Sequence, residues 1–342
     1  MNTWTRLIGS LGICLASFNA QATSAFIDES GKSYLVFSSD PQYPWTPESD
    51  AGRDISNREN EKRSRELIHE QYLNIAEFRQ SRPEQNVPVM INGDMTAFGH
   101  GWQREFVYRI LDHHLNGDYY FGLGNHDYEN NVGDCAANGC ARESLFDLKT
   151  RMGDKVDAMD VSVERVGRNE TWIGSLAYSK RIEDVQLIQL NNYPTYRVDF
   201  TSLKLTQFRD YDFRIRASLD WLEDELKKAR AANRIIILNM HKPDEWIAST
   251  EERDRFKAMI QQYEVSAVFA GHHHSRSGPY DRNSFFGTVP LFLSGSASQR
   301  HYLIAEVDRN AGRLNVMLVG QNDWQNGVVV ATPRLPASEQ VQ

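Results

Sequence analysis

Residues 119–127 read YYFGLGNHD. An apolar run, Tyr119 to Leu123, stops at Gly124 and hands the chain to Asn125, His126 and Asp127. A run without alternation marks a strand buried on both faces. A stop in polar residues places them at the carboxyl end of that strand, where α/β sheets bind ligands. The same event recurs along the chain. Tyr34–Ser39 (YLVFSS) ends at Asp40-Pro41-Gln42, and Val87–Asn92 (VPVMIN) ends at Gly93-Asp94. Arg234–Met240 (RIIILNM) ends at His241, and Val265–Ala270 (VSAVFA) ends at Gly271-His272-His273-His274. Helical spacing separates these runs: Ile68, Tyr72 and Ile75, then Trp102, Phe106 and Ile110, then Leu219, Leu222 and Leu226, with a further helix near 251–262. Two more strands fall within 173–192, and strands near 288–294, 301–308 and 313–319 close the chain. Strands alternating with helices predict an α/β layered domain.

The strand ends carry one kind of chemistry. Asp40, Gln42, Asp94, Asn125, His126, Asp127, His241, His272 and His274 combine carboxylate, amide oxygen and imidazole, a mixture suited to first-row dications. A carboxylate such as Asp94 can bridge two ions, and two ions about 3.5–4 Å apart can clamp a phosphoryl group.

In that order the motifs resemble the calcineurin-like metallophosphoesterase superfamily, whose pattern runs D-x-H, G-D, G-N-H-[D/E], a lone His, then G-H-x-H. The matching stretches span residues 40 to 274, most of the chain. The resemblance implies a four-layer αββα sandwich and two divalent metal ions (Mn, Fe or Zn). It places Asp40 and His274 on the first metal, Asn125, His241 and His272 on the second, and Asp94 on both. His126 would face the leaving-group oxygen as general acid, with Asp127 orienting its ring. The implied reaction is hydrolysis of a phosphate mono- or diester by a hydroxide held between the ions. The rival reading is a metal-containing binding protein that keeps the fold and not the chemistry. One position departs from the pattern: Gln42 stands where the family usually has His. A neutral amide is a weaker donor than imidazole, so the first site is expected to bind its ion less tightly or to favour Mn²⁺, Mg²⁺ or Ca²⁺ over Zn²⁺.

Neighbouring residues read more plainly. His273 should point away from the metals, a rim residue. His100, in Gly99-His100-Gly101, could enter a helix or support the site. Tyr43-Pro44-Trp45 could stack on a substrate or simply pack. Arg276 and Arg300 are phosphate-contact candidates by position alone. Residues 46–66, rich in mixed charge, read as a solvated loop entering a helix.

The amino terminus reads differently. Arg6 is the only charge in residues 1–22, an apolar run from Leu7 to Phe18 follows, and Ala20-Gln21-Ala22 supplies small residues at the right spacing. This predicts a secretory signal peptide over 1–22 and an exported chain, periplasmic or secreted. Residues 23–342 would then form a single domain, with an irregular insertion about 128–172. The apolar run is too short for a spanning helix of about 20 residues, so no stable membrane insertion is expected. Of the three cysteines, Cys135 and Cys140 remain after removal of the signal, and an oxidising compartment favours a disulfide between them.

The 342 residues carry a formal net charge of −8. That balance argues against long nucleic acids, which need a basic face to displace counterions. It does not argue against a small phosphate ester, because bound dications would invert the local charge.

Overall fold

The computed structural model describes residues 25–336; the signal-peptide reading lies outside them. Two large sheets face each other. One has six strands in the order Val328–Ala331, Arg313–Val319, Tyr302–Asp308, Lys32–Ser38, Val89–Ile91 and Tyr120–Phe121. The other has seven, in the order Ser277–Pro279, Leu291–Ser294, Ala267–Ala270, Ile235–Asn239, Val185–Gln189, Tyr178–Ile182 and Ala158–Met159. The strands carrying the polar ends run parallel: Lys32–Ser38, Val89–Ile91 and the edge strand Tyr120–Phe121 in the first sheet, and Ile235–Asn239 with Ala267–Ala270 at the centre of the second.

The layering follows from the unbroken apolar runs. In Lys32–Ser38, Leu35 and Phe37 join a core between the sheets, whereas Val36 joins the core beneath the helices. Ile237 divides in the same way from Ile236 and Leu238, and Phe269 from Val268 and Ala270. Alternate side chains thus face opposite layers, and both faces are dry. Phe37 stacks on Phe269 across the inter-sheet space, ring centroids 3.6 Å apart. The helix Asn57–Gln80 covers the first sheet: Tyr72 Oη is 3.3 Å from Ser38 Oγ, and Phe78 meets Tyr34 edge-on. The helix Leu219–Ala231 packs on strand Ile235–Asn239 and against the helix Thr250–Gln262. The result is the αββα sandwich.

Three local expectations change. The helix Gly101–Leu115 forms where the periodicity puts it and buries Ile110 as expected, but Trp102 is exposed and Val107, Tyr108, Leu111 and Leu115 make up the rest of the buried face. It packs against the helices Asn57–Gln80 and Gly139–Met152. Residues 46–66 are not a plain loop: Pro47–Asp50 is a short helix capped by Thr46, and the long helix already starts at Asn57, capped by Ser56. The segment 128–172 is more regular than its sequence suggests. It holds the 14-residue helix Gly139–Met152 and the strands Ser162–Val166 and Asn169–Gly174. Those strands join Arg209–Ile215 and Val198–Lys204 in a separate four-stranded sheet. Phe146 of the helix packs against Trp172, Tyr211 and Phe213 of that sheet. The last two strands are not unbroken apolar runs: in Arg209–Ile215 the buried Tyr211, Phe213 and Ile215 alternate with charged residues, the period-2 pattern of a half-buried strand. Cys135 and Cys140 are joined by a disulfide at the start of this segment.

Candidate metal centre

Five strand ends bring the candidate residues together at one edge of the sandwich. Four of the candidate ligands, Asp40, Gln42, Asp94 and His272, have positive φ. Such backbone is costly for residues with a Cβ, and it clusters where a surrounding structure imposes it for a purpose. The glycines of the motifs serve close approach. A Cβ on Gly124 would overlap Asp94 Oδ1, and one on Gly271 would overlap Ser39 Oγ and press on Asp40 Oδ2. The loops can pack around the carboxylates only because these positions have no side chain.

Two three-residue groups offer converging ligand atoms, each group within 4.8 Å: Asp40, Asp94 and His274, and Asp94, His241 and His272. Asp94 belongs to both. In the second group, His241 Nδ1 lies 2.8 Å from the carbonyl of Asn92, which accepts its proton. That leaves Nε2 3.0 Å from Asp94 Oδ2 and 3.0 Å from Asn125 Oδ1. In the first group, His274 Nε2 is 3.1 Å from Asp40 Oδ1, while Asp40 Oδ2 accepts the backbone N–H of His272 at 3.0 Å. Gln42 is 1% exposed, and neither its Oε1 nor its Nε2 has a hydrogen-bond partner. Asp94 Oδ2 is likewise buried without one, since its approach to His241 has poor hydrogen-bond geometry. Buried polar atoms left unpaired are expensive. The two residues adjoin, the Gln42 backbone N–H donating to the Asp94 carbonyl at 2.9 Å, and a cation held at the ligand groups would satisfy such atoms, so the residues present fit a dinuclear site.

The charges agree with that fit. Burial favours a neutral Asp94, but the facing His241 holds its carboxyl far below the usual range. Burial would lower His274, yet Asp40 and then Asp50 raise it to about 10. Burial opposes protonation of His241 too, and Asp94 and Asp40 override it to about 9. His272 is lowered to about 3, first by burial and then by the neighbouring His241. The carboxylates thus hold a surplus of negative charge that protons on His241 and His274 offset in the metal-free protein.

His126 stands outside the ligand groups. Its backbone N–H donates to Asp94 Oδ1 at 2.8 Å, and its ring Nδ1 lies 2.8 Å from the carbonyl oxygen of Ala97. Asp127 does not orient this ring, contrary to expectation. Its carboxylate turns inward and accepts the backbone N–H groups of Met95, Thr96 and Gly124 at 3.0–3.1 Å. Adjacent residues on a tight turn point opposite ways, so sequence neighbours need not touch. Burial and then the charge of Asp94 push the Asp127 carboxyl up, and the three backbone donors oppose them.

The remaining candidates separate. His273 turns to Asp244, 2.9 Å away, within a rim network that includes Tyr280 and Arg282. His100 caps the start of the helix Gly101–Leu115 and lies beside the Cys135–Cys140 pair. Arg300 is engaged with Glu70 and Gln321, and Arg276 reaches only Tyr280. Trp45 does line the site: its ring meets His126 at 5.4 Å and His274 at 5.9 Å, both edge-on. Two other residues were not foreseen. Lys242, next to His241, pairs with Glu129 at 3.2 Å. Asp50 accepts from His274 Nδ1, and burial, which would raise it, is outweighed by that bond and charge, bringing it to about 2. The Thr46-Pro47 start signal of its short helix was the one trace of Asp50's ordered position in the sequence.

A family model described as calcineurin-like phosphoesterase matches residues 67–276. The chain belongs to the calcineurin-like phosphoesterase family. The match holds Asp94, Asn125, His126, His241, His272 and His274 and starts beyond Asp40 and Gln42; Asp40 falls in one candidate ligand group of the phosphoesterase. Among solved structures, a dimetal phosphatase from Danio rerio aligns over 87% of this chain and 97% of its own, at 16% identity and a TM-score of 0.48. GAP50, described as the anchor in the inner membrane complex of Plasmodium, aligns over 90% of each chain at 10% identity and a TM-score of 0.48. A search of curated proteins gave no match. Among the described residues, no helix of the phosphoesterase is long and apolar enough to cross a membrane.

Proposed function

We propose that this chain is an exported hydrolase of small phosphate esters that works with two divalent metal ions. The observation that carries the reading is Asp94. Its carboxylate is shared by both ligand groups, and one of its oxygens is buried without a partner. When bound, the two ions supply positive charge against the phosphoryl oxygens and make water acidic enough to act as nucleophile. The protein's residues do the rest. Asp40, Gln42, Asp94 and His274 would hold one ion, and Asp94, Asn125, His241 and His272 the other. His126 Nδ1 donates to the Ala97 carbonyl, which leaves Nε2 as the nitrogen whose proton would pass to a departing alkoxide. Trp45 walls the space between His126 and His274. Removal of residues 1–22 on export is part of the proposal, leaving one domain over 23–342. The Ala20-Gln21-Ala22 spacing and the Cys135–Cys140 bond support it.

Purified protein assayed with p-nitrophenyl phosphate and bis-p-nitrophenyl phosphate in Mn²⁺, together with elemental analysis, tests the reading. Two ions per chain and turnover of either ester are expected. The neutral donor Gln42 favours a second reading, a metal-containing binding protein. One ion or none, with no turnover of these or a panel of natural esters, would select it.

A further inference from the structure

The three histidines of the metal groups are not supported alike. His241 Nδ1 is held by a neutral carbonyl, that of Asn92. His272 has Glu245 at 3.6 Å, beyond hydrogen-bond reach, and that carboxylate is largely exposed. His274 alone bonds a mostly buried carboxylate through its second nitrogen, that of Asp50. This asymmetry falls on the ligand group that also contains Gln42.

Asp50 is held to the task from several directions. Its Oδ1 also accepts Trp45 Nε1 at 2.7 Å, and its Oδ2 accepts Ser298 Oγ and Gln299 Nε2, each at 2.6 Å. The short helix that ends in Asp50 is tied to the long helix through Thr46 Oγ1 and Asn60 Oδ1, 2.8 Å apart. The carboxylate is therefore fixed before any ion arrives. It holds a proton on Nδ1, so Nε2, bonded to Asp40 Oδ1 at 3.1 Å, is the nitrogen that would give up its proton to take an ion. A carboxylate behind a ligating imidazole also makes that imidazole more basic and a stronger donor.

We propose that Asp50 is a positioning residue of the first metal position, and that its charge behind His274 compensates for the neutral amide of Gln42. The proposal rests on the metal-site reading above.

Mn²⁺ titration of metal-stripped protein by calorimetry tests it, with Asp50→Asn, Asp50→Glu and Ser298→Ala beside the unaltered chain. In Asp50→Asn one binding step weakens by about 10–100-fold and the other is unchanged. Asp50→Glu recovers part of the loss. Ser298→Ala removes another bond to the same carboxylate and leaves both steps intact. In a Gln42→His background, Asp50→Asn costs less than it does beside Gln42. If a folded Asp50→Asn binds both ions as the unaltered chain does, Asp50 has no such role, whereas the metal-site reading stands. If Ser298→Ala weakens binding as much as Asp50→Asn, the carboxylate only braces the loop and the proposal is overturned. A loss from Asp50→Asn that is equal with and without Gln42→His overturns the compensation. An unaltered chain that binds no Mn²⁺ overturns both readings.

Discussion

The ring Nδ1 of His126 lies 2.8 Å from the carbonyl oxygen of Ala97, and no carboxylate takes part. A carbonyl accepts a proton but carries no charge. It fixes the tautomer, so that Nε2 is the nitrogen from which a second proton would pass to the leaving group. His126→Ala is therefore expected to lower kcat by about 10²–10⁴ for alkyl esters. It should lower kcat far less for p-nitrophenyl esters, whose leaving group needs no proton. Metal content should not change. A ratio of alkyl to nitrophenyl turnover that stays constant in the variant would remove the acid role.

Asp127 acts on shape. Its 1% exposed carboxylate accepts three backbone N–H groups from the two turns that present Asp94 and His126. Asparagine can still accept on one side but must place an N–H₂ against donors on the other. Asp127→Asn should lose about 2–4 kcal/mol of stability, measured by urea unfolding of the metal-free protein. Its alkyl-to-nitrophenyl ratio should stay at the original value, unlike that of His126→Ala. A shift of that ratio matching His126→Ala would mean that Asp127 serves the acid directly.

Gly124 tests the packing of the loops around the bridging carboxylate. An added Cβ overlaps Asp94 Oδ1 and crowds the Asp94 backbone nitrogen, neither of which is the far end of a flexible chain. Gly124→Ala should bind metal much more weakly at both positions at once, because Asp94 belongs to both groups. Elemental analysis after gel filtration reads this directly, with circular dichroism to establish that the fold remains. Loss of only one ion would show that Asp94 is not shared.

The pH dependence has a definite sign. His274 and His241 sit at about 10 and about 9 in the folded, metal-free protein, above their ordinary 6.5. Groups raised on folding contribute stability fully below about pH 6.5, and that contribution is lost as pH rises through 9 to 10. Ion binding needs the same nitrogens deprotonated, so it should release protons and tighten over the same window. Melting temperatures measured across it should fall without metal, and the upward shift on adding Mn²⁺ should grow. A Mn²⁺ shift that is independent of pH would argue that neither histidine is a ligand.

The sequence by itself determined the layers and which polar side chains stand at the strand ends. Unbroken runs such as Tyr34–Ser39 and Val265–Ala270 can be buried only from both sides, and each ends in Asp, Asn or His where strand ends must gather. Those signals are local: a run, a stop and a residue type within a few positions. Tertiary structure decided which neighbours the ligands have. Asp127 follows His126 in the chain, yet the turn sends its carboxylate to Met95, Thr96 and Gly124. Asp50 is 224 residues from His274 in a stretch that looks solvated, yet it bonds that ring. The small sheet built on Val198–Lys204 and Arg209–Ile215 buries one face of each strand, so its apolar residues alternate with polar ones and form no unbroken run. A hydrogen bond between distant segments leaves no period in the sequence. It exists only once the packing of the two sheets has fixed where each loop can stand.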